Sequence, residues 1–156
     1  MDADELARNV RLLLDIEAIK TLKHQYCAYC DDNYNPDGIA DLFVEDAVWD
    51  GGQLGRCVGR EAIRGFFRGA PKFLSFAIHQ VMNPIIKVDG DRAIGEWKLL
   101  QPCTREGKDG PRAMWLAANY HDQYVRTPAG WKYQNLKVDT LFFAPHDEGW
   151  VKIAKP

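Results

Sequence analysis

The stretch "FLSFAIHQVMNPIIKV", residues 73–88, decides the fold of this chain. Its apolar and β-branched residues, closed by the turn signal "DGD" at 89–91, predict a strand. Three stretches of the same texture follow: "RAIGEWKLLQPC" (92–103), "PRAMWLAANYHDQYVRT" (111–127) and "GWKYQNLKVDTLFFA" (130–144). The turns "REGKDGP" (105–111) and "PAG" (128–130) separate them, and strands joined so closely predict an antiparallel meander.

Before residue 72 the pattern is helical. Residues 3 to 30 place Leu6, Val10, Leu13 and Leu14, then Ile16, Ile19 and Leu22, at helical spacing, with Asp15 set to cap a second segment. "DDNYNPDG" (31–38) is rich in turn formers and stops the helix. "GIADLF" predicts a short helix and "AVWDG" a first strand. "GREAIRGFFRG" predicts a further helix with Ile63, Phe66 and Phe67 on one side. Helices first and strands afterwards predict an α+β fold. Its form would be a curved antiparallel or mixed sheet, cone-shaped, with N-terminal helices enclosing a pocket. Trp97, Trp115, Tyr124, Trp131 and Phe142 do not all fit one face, so self-association as a dimer or trimer is expected to cover the outer face.

A chain of 156 residues suits one domain, 1–156. The net charge of -2 and the lack of a basic stripe argue against nucleic acid as a partner. "MDADELARNVRLLLDIEAIK" is acidic before it is apolar, unlike a secretory leader, and no run approaches 18 apolar residues. A cytoplasmic protein with no membrane partner is expected. Cys27 and Cys30 form a C-x-x-C, but late in a helical pattern and with no second pair to complete a metal set. Together with Cys57 and Cys103 they are expected to be free thiols that pack as small apolar residues. No metal and no cofactor is expected.

His79 stands mid-strand where a packed core would accept leucine; Asp31 and Asp32 end the long helix; Tyr26 lies just before them. Each alone has an ordinary structural role: a core histidine, a helix stop, a core tyrosine. Together they suit acid/base chemistry. An imidazole titrates near neutral pH, a carboxylate fixes its tautomer, and a phenol holds or protonates an oxygen.

A resemblance gives these residues a context. "DIEAIKTLKHQYCAYCDD", "DGIADLFVEDAVWDG", "GREAIRGFF", "HQVMNPIIKVDGDRAIGEW" and "GWKYQNLKVD" resemble the SnoaL-like branch of the nuclear transport factor 2-like (cystatin-like) superfamily over almost the whole chain. They are most similar to bile acid dehydratase, scytalone dehydratase and hexachlorocyclohexane dehydrochlorinase. The resemblance implies an α+β cone and a cofactor-free lyase working through a His–Asp pair. It places the catalytic roles on His79, Asp31 and Tyr26. A count backwards from "DGIADLF" selects Asp32 instead of Asp31. Asp31 is preferred, because insertions fall in loops, and Asp32 is then left to the substrate. "AAN" at 117–119 implies that Asn119 binds substrate, with Ala117 where the relative has serine. Gln101 stands for a second acidic residue, Cys103 for a second histidine, and a late arginine has no match beside Lys137 or Asp139. Aromatics are expected to line the pocket, with Trp49, Trp97 and Trp115 contributing in whatever subset faces inward. The implied reaction is elimination, dehydratase-type or retro-aldol deformylation, on an aromatic or polycyclic alcohol. The alternatives are a polyketide- or steroid-type isomerase or cyclase, and a non-catalytic small-molecule-binding module.

Overall fold

In the computed structural model, which describes residues 1–153, the stretch 73–88 is broken into two strands, and the break carries the site. The elements run α1 (Ala3–Asp31), α2 (Pro36–Asp41), β1 (Phe43–Asp50), β2 (Arg56–Val58), α3 (Arg60–Gly69), β3 (Leu74–Ala77), β4 (Gln80–Asp89), β5 (Arg92–Arg105), β6 (Arg112–Thr127) and β7 (Gly130–Pro145). Residues 154–156 of the expected domain lie outside the described residues. The fold is α+β, and its single sheet is mixed. It runs β2-β1-β7-β6-β5-β3, with β4 also on β5, and the β1–β7 pair alone is parallel.

The long strands alternate cleanly. Along β5, Ala93, Trp97, Leu99, Gln101 and Cys103 face the concave side and are buried, while Arg92, Ile94, Glu96 and Lys98 are exposed. Along β6, Met114, Leu116, Ala118, Tyr120, Asp122 and Tyr124 do the same. The concave face is covered by α1, whose buried residues Ile19, Leu22, Lys23, Tyr26, Cys27 and Cys30 recur at helical spacing.

Helix α1 is one uninterrupted run of 29 residues, so Asp15 caps nothing. Asp2 is the N-cap, accepting from the Glu5 amide at 2.8 Å. Asp15 is buried instead. It accepts a paired bond from Arg126, at 2.7 and 2.8 Å, and a third from Trp131 Nε1 at 3.1 Å. The Arg126 guanidinium holds its carboxyl below the usual range against the opposing effect of burial.

Eight residues further on, Lys23 is fully buried and bonds Asp122 on β6 at 2.9 Å, with both side chains at 0% exposure. Its ammonium also lies 3.2 Å from the Tyr120 ring centroid. Asp122 accepts from Tyr124 as well, at 2.8 Å, and Tyr124 accepts from Trp97 Nε1 at 3.1 Å. Removing one partner leaves a buried charge without compensation. Lys23→Met is therefore expected to cost roughly 3–5 kcal/mol in urea unfolding, and adding Asp122→Leu to recover part of that loss.

Candidate functional site

The break in residues 73–88 does not shift the strand's register. Ala77 pairs with Cys103 before it and Gln80 with Leu100 after it, so His79 falls directly opposite Gln101. The alternation that buries Gln101 turns the imidazole to the concave side, while Ile78 and Met82 are exposed on the other. His79 is thus not mid-strand but in the gap between β3 and β4, and this gap lies on a sheet edge. The Ile78 amide still donates to Pro102 across the ladder at 3.1 Å. The next amide, His79 N–H, has no strand to meet and donates to Asp31 Oδ1 at 2.9 Å.

That same oxygen is 2.7 Å from His79 Nδ1. A carboxylate only accepts, so Nδ1 carries the proton and Nε2 is left as the basic nitrogen. The His79 side chain is 6% exposed and that of Asp31 is 32% exposed. Asp31 is the last residue of α1, and the contact is its own, not that of Asp32.

The cavity in front of the imidazole has a volume of about 60 Å³. Its polar walls are His79, Tyr26, Tyr34, Tyr120 and Gln101, and its apolar ones include Trp49, Phe67 and Leu99. Tyr26 is 2% exposed and accepts from Trp49 Nε1 at 3.0 Å. Burial pushes its pKa well up, so it stays a phenol. Its ring meets Phe43, Phe67, Tyr120 and Tyr133 edge-on, which fixes its position. Trp49 packs over Phe66 with centroids 4.5 Å apart. A Cβ at Gly51 would lie 2.3 Å from that indole, so glycine clears its space.

The structure thus brings His79, Asp31, Tyr26, Trp49 and Gln101 together and leaves out two other residues expected to bind substrate. Asp32 is exposed, and its carboxylate takes only a long 3.5 Å bond from Asn35. Asn119 lies on the outer face, where alternation along β6 puts it, and accepts from Lys98 at 2.6 Å. Nor do Trp97 and Trp115 line the cavity. Trp97 is spent on Tyr124, and Trp115 is on the outer face, donating to His146 Nδ1 at 2.9 Å. Phe66, Phe67 and Tyr34 line it unexpectedly. A tyrosine among the turn formers of "DDNYNPDG" was the one signal for Tyr34.

All four cysteines are free, and Cys27, Cys30 and Cys103 are buried. Burial pushes Cys27 up to about 12 and Cys103 up to about 11, which makes them poor nucleophiles. Among the described residues no group of His, Cys, Asp and Glu is placed to hold a metal.

Beside the cavity lies an open cleft of about 500 Å³ that shares Leu54, Leu74, Leu116 and Val138 with it.

The comparisons agree with this fold. The family model of the SnoaL-like domain matches residues 11–137. A hexachlorocyclohexane dehydrochlorinase (LinA) of type 2 superposes with a TM-score of 0.81 at 21% identity, over 95% of this chain and 98% of that one. Two Novosphingobium aromaticivorans proteins are also similar. One, proposed to be a scytalone dehydratase, gives a TM-score of 0.76 at 23% identity over 86% and 89% of the chains. The other, proposed to be an aromatic ring hydroxylase, gives 0.74 at 29% identity over 87% and 96%. No curated protein sequence matches significantly.

Asp31→Asn is expected to change the tautomer of His79, read from the ring ¹⁵N shifts, while Asp32→Asn leaves them as in the unaltered protein.

Proposed function

The chain belongs to the SnoaL-like domain family, and on that premise we propose that it is a cofactor-free lyase whose general base is His79. The observation that carries the reading is the 2.7 Å His79–Asp31 contact, which leaves Nε2 free beside the cavity. In the proposed reaction His79 Nε2 takes a proton from carbon. The C–H electron pair forms the new double bond as the C–O bond on the neighbouring carbon breaks, and the departing oxygen takes a proton from Tyr26. Asp31 orients the imidazole and stabilises the imidazolium. Loss of water is the simplest outcome. Retro-aldol loss of formaldehyde needs the same base, which then takes its proton from a hydroxyl.

The cavity's 60 Å³ is well below the roughly 150 Å³ that houses benzene, so it suits the reacting end of a substrate. The adjoining cleft supplies room for the rest, which supports an apolar ring-bearing alcohol, aromatic or polycyclic. The 29%-identical relative proposed to act on aromatic rings points the same way.

Self-association as a dimer or trimer belongs to the same reading. Phe76, Ile78, Met82, Ile85 and Ile94 are exposed on the outer side of β3–β5, which is more apolar surface than a solvated face needs. Sedimentation equilibrium is expected to give two or three times the 17.8 kDa chain mass; a monomer overturns this part. Among the described residues no helix is long and apolar enough to cross a membrane. The free cysteines support a reducing, cytoplasmic location.

The test is turnover followed by mass spectrometry on a panel of hydroxylated aromatic and steroid-like compounds with no cofactor added. The expected product is lighter by water or formaldehyde, and His79→Ala slows it about 10²–10⁴-fold. Products of unchanged mass would mean an isomerase or cyclase. Thermal stabilisation by a compound without turnover in either protein would mean a binding module.

A further inference from the structure

Helix α1 changes character along its length. From Asp15 onward, Ile19, Leu22, Lys23, Tyr26, Cys27 and Cys30 are buried against the sheet. Before Asp15, every residue from Ala3 to Leu14 is exposed. At 1.5 Å per residue, this arm extends about 18 Å beyond Asp15. Yet it is not a polar arm. Leu6, Val10, Leu13 and Leu14 are 50%, 45%, 62% and 64% exposed, and their spacing puts them on one face. At about 100° per residue, that face points roughly half a turn away from the one that Ile19, Lys23, Tyr26 and Cys30 turn to the sheet. Further along α1 the same outward face is polar, with Glu17, Thr21 and His24 exposed. The apolar stripe is therefore confined to the arm, and the chain's own sheet lies on the opposite side of the helix. A helical segment this short is marginal in water unless it packs on something, and an exposed apolar stripe marks where it does.

We propose that the arm is a docking surface for the same arm of a second copy of this chain, packed antiparallel about a two-fold axis. The stripe has the seam such a pair needs, because Ala3, Leu6, Val10 and Leu13 follow the a and d positions of a heptad. With Leu6 of one copy against Val10 of the other, Ala3 falls against Leu13. The charges fit that register. Asp4 and Arg11 lie seven residues apart, on one flank of the stripe. A two-fold axis brings like flanks together with their ends exchanged, so Asp4 of each copy comes opposite Arg11 of the other. A parallel pair would set Asp4 on Asp4 and Arg11 on Arg11. The same charges argue against a lipid surface. Asp2, Asp4 and Glu5 stand beside Arg8 and Arg11, and the basic polar face of a membrane-surface helix is missing from the arm. So short a seam suffices because the arm is not a free peptide. It continues a helix already held at Asp15 by Arg126 and at Lys23 by Asp122, so its nucleation costs nothing further.

This inference rests on the self-association proposed above and narrows it to a dimer, through a surface apart from the outer side of β3–β5.

Sedimentation equilibrium tests it on the unaltered protein and three variants: Leu6→Gln/Leu13→Gln, Arg11→Glu, and Asp4→Arg/Arg11→Glu. All the replaced side chains are exposed, so each variant keeps the fold, which circular dichroism checks. The unaltered protein is expected at twice the 17.8 kDa chain mass, and Leu6→Gln/Leu13→Gln at the mass of one chain. Arg11→Glu sets like charges together twice and is expected to weaken the dimer about tenfold. Asp4→Arg/Arg11→Glu exchanges the charges and is expected to recover most of that loss. A monomeric unaltered protein overturns both the inference and the self-association it rests on, and leaves the stripe to a different partner. A dimer or trimer that persists in Leu6→Gln/Leu13→Gln overturns the inference alone and assigns association to the outer side of β3–β5. A loss in Arg11→Glu that the exchanged variant does not recover also overturns it, by excluding the antiparallel register.

Discussion

The buried Lys23–Asp122 pair is the constraint from which the rest of the site is measured. Apolar contacts between α1 and the sheet are non-directional and would tolerate small slips along the helix. An ion pair at 0% exposure would not, because a slip leaves two charges in a dry interior. Three ties hold α1 at intervals of eight residues: Asp15 to Arg126 and Trp131, Lys23 to Asp122, and Asp31 to His79. At 1.5 Å per residue each interval is about 12 Å, so fixing Lys23 fixes where the C-terminal carboxylate meets the sheet edge. Tyr26, three residues beyond Lys23, is set by the same registration among its four aromatic neighbours.

At that edge, structure and chemistry share an atom. Asp31 Oδ1 satisfies the His79 amide, which would otherwise be an unpaired edge donor, and accepts from the ring Nδ1. The backbone bond positions the residue and the ring bond orients the imidazole. Because both end on the last residue of a helix tied at Lys23, the geometry does not depend on a loop. The loop that follows does the opposite work: it carries the strained backbone of Asn33 and Tyr34. Strain survives only where the surroundings impose it, and here it places the Tyr34 ring edge-on to His79.

Much of the fold was legible because its causes are local and periodic. Leucines and isoleucines at helical spacing, turn formers at 31–38 and alternating strands are short-range patterns, and the order of helices before strands names the α+β class. The errors have local causes too. Asp15 looks like a cap because a lone carboxylate within a helical run has no visible partner; Arg126, 111 residues away, supplies one. The strand 73–88 looks continuous because its pattern is; the amide diverted to Asp31 interrupts the ladder without changing the register. β2 is three residues long and leaves no pattern to read.

The site divides along the same line. By itself the sequence determined that a histidine, a tyrosine and an aspartate of acid/base character stand in an α+β chain, since residue type and helical or strand phase are properties of neighbouring positions. Only the tertiary structure decided which aspartate meets His79, that Asn119 and Trp115 face outward while Gln101 and Trp49 face the cavity, and that Tyr34 joins them. Those outcomes depend on where α1 lies across the sheet, and contacts such as Lys23 to Asp122, 99 residues apart, set it. A contact between distant positions leaves no periodicity in a single chain, and so it appears only once the chain has folded.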